Sequence, residues 1–262
     1  MKRTLLKALP DWVPAALRPR LSDAAVYDSS CSPEARVLFV DKDGGLFLKS
    51  APCGTLKTEA EMDAYFHGLG LSAPVLYYGT EGERDFLLTA RVPGEDCTHE
   101  AYLADPARLA ALLGERLRAL HELPHEDCPV RDRTATYLAT VREGYRLGRF
   151  DPEFLPASAK GLNMEESWQT VWKNRHFLQS DTLLHGDYCL PNILLSDWAF
   201  SGFIDLGNGG VGDRHVDLFW GAWTLRFNLH TDAWRDRFLD AYGRDLVDED
   251  RLALIGIAEC FG

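Results

Sequence analysis

The residues of this sequence best suited to chemistry fall in two short runs. His-Gly-Asp-Tyr-Cys-Leu-Pro-Asn occupies 185–192, and Ile-Asp-Leu-Gly occupies 204–207. They place Asp187, then Asn192 five residues on, then Asp205 thirteen residues later. A base followed by two metal ligands at this spacing is typical of a phosphoryl-transfer site. Aspartates in turns commonly cap backbone amides instead, but the combination of all three residues favours the catalytic interpretation.

The chain between Asn192 and Asp205 predicts a β-hairpin. Apolar runs at 193–195 and 200–204 flank a turn at 197–199. Because an antiparallel hairpin returns the chain to its start, we expect the two side chains at the same end. One Mg²⁺ ion could then bind both side-chain oxygens, since it prefers hard oxygen ligands.

Asp187 is expected in a turn held by Gly186 and Pro191. A carboxylate placed there can accept the proton of an attacking hydroxyl. The neighbouring His185 is expected to pack and form hydrogen bonds that fix the loop, rather than to transfer protons.

A lysine and a glutamate in the first half of the chain extend this site. Lys49 ends an alternating apolar strand, where it could reach phosphate oxygens as a point charge or lie as a solvated strand end. Glu59, early in the next helix, is the candidate to pair with it, and Glu61 competes. The motif G-x-x-x-x-G-K-[ST] is absent, which excludes a P-loop NTPase, and no G-x-G-x-x-G precedes the first hairpin.

The order of predicted elements indicates an α+β protein with two lobes. Strands are predicted at 36–49 (a hairpin), 74–79 and 84–89, with a helix at 57–69 whose start carries a possible capping box of Thr58 and Glu61. A turn-rich stretch at 91–96 precedes a helical half. Its helices are predicted at 106–121, 134–148, 165–178, 216–229 and 233–242, with a loop at 149–163. We therefore predict an N-terminal nucleotide-binding lobe (1–88), a hinge (89–96) and a C-terminal catalytic and substrate-binding lobe (97–262). The tryptophans of the last helices are expected to be packing residues.

Composition narrows the class of protein. The 262 residues are 46% hydrophobic and 26% charged, with a formal net charge of −12, so a nucleic-acid partner is not expected. The acidic excess favours cationic ligands or serves solubility. Six scattered cysteines fit a reducing cytoplasm, and neither a signal peptide nor a membrane span is predicted. We expect a cytoplasmic monomer or weak dimer with no membrane partner.

Taken together, these residues resemble the aminoglycoside 3′-phosphotransferases, antibiotic kinases with a protein-kinase-like fold. The run 185–192 matches the catalytic loop of that family, 201–207 its metal-binding segment, and 210–217 the stretch that follows. The strands ending at Lys49, and Glu59-Ala-Glu-Met after them, resemble the lysine and glutamate of its N-lobe. The likeness covers nearly the whole chain and is strongest from 183 to 217.

The resemblance implies a role for each catalytic candidate. Asp187 would be the catalytic base or orient the substrate hydroxyl. Asn192 and Asp205 would hold Mg²⁺, and Lys49, positioned by Glu59, would contact the α- and β-phosphates of ATP, with GTP as the alternative nucleotide.

The resemblance also implies further contacts around the nucleotide. Thr89 and Arg91 would supply backbone hydrogen bonds to the adenine. Ser32 falls where the family has a serine loop over the nucleotide, and a simple turn is the alternative there. Asp217 would brace the catalytic loop from a buried helix.

The expected substrate is a cationic small molecule, and the resemblance implies an aminoglycoside. The family lines its substrate site with carboxylates. Where the family has one acidic pair, the nearest positions of this chain are Phe227 and Asn228, which are uncharged. Where the family has a second acidic pair near the end of the chain, this sequence keeps one acid, Glu259. The acidic residues of the predicted substrate loop could compensate or form a solvated surface: Asp151, Glu153, Glu165 and Glu166.

Three functions follow in order of support. The first is an ATP-dependent kinase that phosphorylates an aminoglycoside hydroxyl and so confers resistance. The second is a kinase of another hydroxylated molecule, such as a different antibiotic, a sugar or an amino alcohol. The third is a non-catalytic nucleotide-binding protein on a kinase fold, against which the intact Asp187, Asn192, Asp205 and Lys49 argue.

Overall fold

A computed structural model describes residues 3–31 and 35–262. Ser32, the predicted nucleotide-loop residue, lies outside the described residues. The chain forms two compact units. Unit 1 comprises 1–94 and 194–207, and unit 2 comprises 95–193 and 208–262. The lobe and hinge boundaries expected from the sequence stay a prediction.

Unit 1 is an antiparallel sheet with helices. In the described residues its sheet has six strands in the order β1-β2-β3-β4-β6-β5. The elements are β1 (Thr4–Leu5), α1 (Arg18–Leu21), β2 (Ala25–Asp28), β3 (Arg36–Asp41), β4 (Leu46–Pro52), α2 (Lys57–Gly68), β5 (Val75–Glu81) and β6 (Arg84–Ala90). The sheet and helix predicted for this half of the chain are therefore present.

Strand β4 places Lys49 at the centre of the sheet. Lys49 pairs with Val37 of β3 and Leu87 of β6, so it lies mid-strand and the prediction that it ends the strand is wrong. Alternation along the strand sends Leu46 and Leu48 to the opposite, buried face. Lys49 is thus held by hydrogen-bonded strands on both sides, which fixes its backbone.

Helix α2 covers the Lys49 face of the sheet. Ala60 of α2 packs with Leu87, the cross-strand neighbour of Lys49. The predicted capping box at its start is wrong, because the helix begins at Lys57 and Thr58 already lies inside it. The backbone N–H of Leu56 instead donates to the buried carboxylate of Asp85, 3.1 Å away. A residue from β6 therefore caps the helix, which local sequence does not reveal.

Unit 2 is mainly helical. Its elements are β7 (Glu95–Asp96), α3 (Glu100–Leu103), α4 (Pro106–His121), α5 (Arg133–Arg146), α6 (Met164–Asn174), β8 (Thr182–Leu184), β11 (Gly210–Gly212), α7 (His215–Leu229), α8 (Arg235–Tyr242) and α9 (Glu249–Glu259). The predicted helices are present with shifts of a few residues at their ends. The predicted helix 165–178 ends at Asn174, and a 3₁₀ turn takes up 175–177.

Two features of unit 2 differ from the expectation. Helix α9 was not predicted, although Asp248 accepts from the N–H groups of Asp250 and Arg251 at its start. Its Ile255 and Ala258 pack with Val141 of α5 and Val171 of α6 in the core. The expected loop at 149–163 contains two short 3₁₀ turns.

A hairpin of β9 (Ile193–Ser196) and β10 (Ala199–Phe203) follows the catalytic run, as predicted. Asp197 and Trp198 connect the strands with φ of 52° and 67°. A two-residue loop with both residues at positive φ is a type I′ turn, which matches the twist of antiparallel strands. Within the described residues, no helix is both long and apolar enough to cross a membrane.

Candidate active site

The first group of candidate residues lies in unit 1. The Lys49 Nζ donates to both Glu59 carboxylate oxygens at 2.8 Å and to Asp205 Oδ1 at 3.1 Å. Glu61, the competing candidate, instead lies 3.7 Å from Lys57 on the helix surface. Burial would lower the pKa of Lys49, but Asp205 and Glu59 outweigh it and raise that pKa, so the ammonium stays charged.

Asp63 is a further carboxyl near this group, one helical turn after Glu59. It is 7% exposed. Burial, and then the charges of Glu59 and Asp205, raise the pKa of Asp63 to about 8. Asp63 therefore carries a proton at neutral pH.

The second group lies in unit 2, in the loop after β8. The side-chain amide of Asn192 donates to Asp187 Oδ2 at 2.9 Å and to the Asp187 carbonyl at 3.0 Å. The Asp187 carbonyl also accepts from the Cys189 N–H at 2.8 Å. Asn192 is buried and Asp187 half-buried, so the buried amide fixes the carboxylate and leaves part of it accessible.

The loop depends on a glycine and on a buried aspartate. Gly186 has φ of 83°, and an added Cβ would lie 1.7 Å from the Asn208 carbonyl oxygen, so only glycine fits. Asp217 of α7 accepts from the N–H groups of His185 at 2.8 Å and Gly186 at 2.7 Å. Each carboxylate oxygen of Asp217 thus holds one backbone amide of the catalytic loop.

Asp217 is itself held by a buried histidine. His121 Nε2 lies 3.2 Å from Asp217 Oδ2, and His121 Nδ1 lies 2.9 Å from the Tyr242 hydroxyl. Burial lowers the pKa of His121 although Asp217 opposes it, so the ring is neutral. A neutral ring that donates to Asp217 and accepts from Tyr242 satisfies both contacts.

A cavity of about 340 Å³ in unit 2 opens beside Asp187, the candidate base. Its lining includes Gly186, Asp187 and Asn208, together with Tyr137, Trp220 and Glu259. Its other lining residues are Arg133, Thr134, Thr140, Val141, Leu184, Val216 and Gly262. A concave site that mixes polar and aromatic side chains in this way is typical of small-molecule binding sites.

Glu259 is the second carboxylate of the cavity. The Tyr137 hydroxyl donates to Glu259 Oε1 at 3.0 Å, and Trp220 also hydrogen-bonds to it. Burial, with a smaller effect of Asp187, outweighs these hydrogen bonds and raises the pKa of Glu259 to about 7. Its charge therefore changes within the physiological range.

The other predicted substrate residues lie apart from the cavity lining. Asp151 and Glu153 are exposed, and the Asp151 carboxylate accepts from the Glu153 N–H at 3.0 Å to begin a 3₁₀ turn. The Asp151 N–H donates to the Cys260 carbonyl at 2.8 Å, which joins this loop to the end of α9.

The predicted adenine-binding residues lie at the end of β6 in unit 1. Thr89 pairs with Phe47 and Val75 across the sheet. The Arg91 N–H donates to the Gly45 carbonyl at 2.8 Å, and its guanidinium donates to the Gly94 carbonyl at 3.0 Å. Their contact with a nucleotide stays a prediction.

The proposed magnesium ligands suit that ion chemically. Asp205 is exposed and has φ of 57°, a conformation that aspartate tolerates better than most residues. The side-chain N–H groups of Asn192 donate to Asp187. The side-chain carbonyl oxygen of Asn192 can therefore accept a hydrogen bond or coordinate a cation. No group of three or more His, Cys, Asp or Glu side chains in the described residues forms a metal site. Mg²⁺ does not need one, because it commonly binds one or two protein oxygens, water and phosphate.

Several residues of the site are absent from the sequence-based expectations. Asp63 carries one local signal, its i+4 spacing from Glu59 on the same helix face. His121 and Tyr137 carry none, because tertiary packing alone brings them to Asp217 and Glu259. Trp220 was expected to pack only, and it also lines the cavity.

Fold and site together define a phosphotransferase with a protein-kinase-like fold. The model of the phosphotransferase enzyme family (APH) matches residues 29–255, and the chain belongs to that family. A probable aminoglycoside 3′-phosphotransferase of Lactococcus lactis subsp. lactis (strain IL1403) is 49% identical over 249 residues, 95% of each chain. An aminoglycoside 3′-phosphotransferase of Niallia circulans is 31% identical over 79% of each chain.

A solved structure agrees with this assignment. The crystal structure of an aminoglycoside-3′-phosphotransferase of type VIII superposes with a TM-score of 0.76 at 28% identity, covering 94% of this chain and 97% of that one. The predicted α+β kinase-like fold, the family and the class of enzyme are confirmed. The roles of individual residues stay predictions.

Replacing Asp217 by asparagine should loosen the catalytic loop. An amide has one acceptor oxygen, so it can accept from the N–H of His185 or from that of Gly186, but not from both. Its NH₂ group then faces the other N–H, which is left without an acceptor. One unsatisfied buried N–H costs about 1–3 kcal/mol. We expect Asp217→Asn to lower the free energy of unfolding by this amount, measured by urea denaturation, and to lower kcat.

Asp213→Asn is the matched control for this variant. Asp213 is as buried, and its carboxylate accepts from the Gln179 N–H at 2.8 Å and contacts His215 at 2.7 Å, away from the catalytic loop. The Asp213→Asn variant should have a lower free energy of unfolding but an unchanged kcat at temperatures well below its unfolding transition. Equal kcat losses in the two variants would contradict a specific role for Asp217.

Proposed function

We propose that the protein transfers the γ-phosphate of ATP to a hydroxyl of an aminoglycoside and thereby confers resistance to that antibiotic. The observation that carries this proposal is the cavity in which the carboxylates of Asp187 and Glu259 face the same space. A cavity with two carboxylates suits an acceptor that has both ammonium and hydroxyl groups. The 49% identity to a probable aminoglycoside 3′-phosphotransferase supports the same substrate class.

In this proposal Asp187 acts on the acceptor hydroxyl. The Asn192 amide holds Asp187 Oδ2, so the carboxylate keeps one orientation as it hydrogen-bonds to the hydroxyl and takes its proton. The Asp217 carboxylate keeps the backbone before Asp187 in place. Orientation of the acceptor and of its proton is the principal contribution of this loop.

Lys49 acts on the nucleotide in the same proposal. Its ammonium stabilises the negative charge of the phosphate oxygens, and Glu59 fixes its position from both carboxylate oxygens. Asn192 and Asp205 would hold Mg²⁺, which supplies charge neutralisation on the transferred phosphate.

A coupled assay of ADP release tests the proposal. The purified protein is incubated with ATP and Mg²⁺, with and without members of an aminoglycoside panel. We expect ADP release that depends on an aminoglycoside. Release that occurs only with other hydroxylated molecules would show that the acceptor belongs to a different class. That class is the second candidate because Phe227 and Asn228 are uncharged. No acceptor-dependent release would overturn the proposed activity.

The charge of Glu259 should make acceptor binding depend on pH. Since the pKa of Glu259 is raised to about 7, the side chain is anionic above that pH and neutral below it. The KM for a cationic acceptor should therefore rise as the pH falls from 8 to 6. In Glu259→Gln this dependence should be lost, with a KM at pH 8 close to that of the wild type at pH 6.

Glu153→Gln is the control for the change in charge. Glu153 is exposed and lies outside the cavity lining, so this variant should keep the wild-type pH profile. Steady-state kinetics at several pH values give both curves. A Glu259→Gln profile parallel to that of the wild type would show that another group controls acceptor binding.

A further inference from the structure

Helix α7 carries a row of aromatic side chains that the catalytic roles above do not use. Trp220, Trp223 and Phe227 recur at intervals of three and four residues and so share one face of the helix. The rings of Trp223 and Phe227 stack at 4.8 Å with an interplanar angle of 13°, and Trp223 meets Trp220 edge-on at 5.3 Å. Phe227 is 60% exposed, so the ring face turned away from Trp223 is open to solvent.

This row is continuous with the cavity that contains Asp187. Trp220 lines the cavity and hydrogen-bonds to Glu259. Phe154, from the loop before α6, packs on the rings of Trp220 and Trp223, both at 5.9 Å. The aromatic surface formed by Trp220, Trp223 and Phe227 therefore leads from the carboxylates of the cavity to solvent.

We propose that the Trp223–Phe227 pair binds an ammonium group of the acceptor through cation–π contacts. This inference rests on the proposed function. It adds a second group, besides the Glu259 carboxylate, that recognises the cationic acceptor. The face of an aromatic ring attracts an ammonium ion electrostatically, and such rings are used to recognise ammonium ligands. The occupant is one amino-sugar ring of the acceptor, with an ammonium group over the open face of Phe227.

The neighbouring polar residue offers no negative charge to an ammonium ion. The Asn228 amide N–H groups donate to the Thr224 carbonyl at 2.8 Å and to the Thr224 hydroxyl at 3.2 Å, within the same helix. The Asn228 amide oxygen can accept a hydrogen bond, but the side chain is neutral. The ring of Phe227 therefore supplies the electrostatic attraction for a cation in this stretch, while the carboxylates of Asp187 and Glu259 line the cavity.

The test compares Phe227→Leu with Phe227→Tyr. Leucine keeps apolar contact with Trp223 but removes the π face, whereas tyrosine retains it. For an exposed ring the expected loss of aminoglycoside affinity in Phe227→Leu is about two- to fivefold, and more if the cation is desolvated. Phe227→Tyr should bind like the wild type. Calorimetric Kd values without nucleotide, and KM and kcat for the same drugs, give the readout, and the change should appear in Kd and KM rather than in kcat.

Phe177→Leu is the matched control. Phe177 is 51% exposed, and its ring contacts His176 at 4.2 Å. Phe177 belongs neither to the cavity lining nor to the aromatic surface of Trp220, Trp223 and Phe227, so its loss should leave aminoglycoside affinity unchanged. A second control replaces one amino group of the drug by hydroxyl, and for the analogue that lacks the bound ammonium the penalty of Phe227→Leu should vanish.

The outcomes separate this inference from the proposed function. Wild-type Kd values in Phe227→Leu for every drug, or equal losses in Phe227→Leu and Phe227→Tyr, would overturn the cation–π contact and leave the activity intact. Aminoglycoside binding that depends on Phe227 without phosphorylation would support the contact and overturn the activity. A wild type that binds no aminoglycoside would overturn both.

Discussion

Asp187→Asn is expected to abolish most turnover while nucleotide still binds. The amide cannot accept the hydroxyl proton, and removal of a positioned base typically lowers rates by about 10²–10⁴-fold. Folding should change little, because the substitution keeps the size of the side chain and Asp187 is only half-buried. Initial rates measure the loss of kcat, and calorimetry with ATP and Mg²⁺ measures the retained affinity.

Asp181→Asn is the control for the loss of one carboxylate near the loop. Asp181 is exposed and accepts from the Thr182 hydroxyl at 2.8 Å, outside the cavity lining. It should keep the wild-type rate. If Asp187→Asn retained the wild-type kcat, Asp187 would not be the base or the residue that orients the hydroxyl.

Lys49→Met should lower both turnover and stability. It removes the ammonium that would stabilise the phosphates, and loss of one such electrostatic contact typically costs about 10²–10³-fold in kcat. The substitution also leaves the buried carboxylate of Glu59 without its cation. We expect the free energy of unfolding to fall by roughly 3 kcal/mol, the lower end for a broken buried pair, because Glu59 can take up a proton. Chemical denaturation and initial rates measure the two effects separately.

A double variant separates the two consequences of losing Lys49. Lys49→Met with Glu59→Gln removes the uncompensated charge, so stability should recover while turnover stays low. Lys57→Met is the control, because Lys57 is exposed and lies 3.7 Å from Glu61 on the surface of α2. A double variant that regained turnover together with stability would show that Lys49 acts through folding alone.

The features that were predicted from sequence are those encoded in local patterns. Asp187, Asn192 and Asp205 stand at fixed spacings around one hairpin, which was predicted from two apolar runs that flank the segment 197–199. The amphipathic helix Pro106–His121 was predicted with its observed bounds, because a first-turn proline and a strong apolar stripe coincide there. Such signals need no knowledge of tertiary contacts.

The features that were missed depend on contacts between distant segments. The cap of α2 comes from Asp85 on β6, so the local Thr58 and Glu61 pattern was misleading. His121 reaches Asp217 across 96 positions of sequence, and Tyr137 reaches Glu259 across 122. The cavity and its aromatic extension arise from the same long-range packing, so sequence identified the reaction better than the acceptor site.

The most direct test of the central claim is to find where the phosphate goes. The protein is incubated with ATP, Mg²⁺ and an aminoglycoside, and the drug is analysed by mass spectrometry and ³¹P NMR, with Asp187→Asn in parallel. We predict one phosphate ester on a drug hydroxyl with the wild type and almost none with the variant. ATP consumption that yields only free phosphate and unmodified drug, or equal product from the variant, would contradict phosphoryl transfer directed by Asp187.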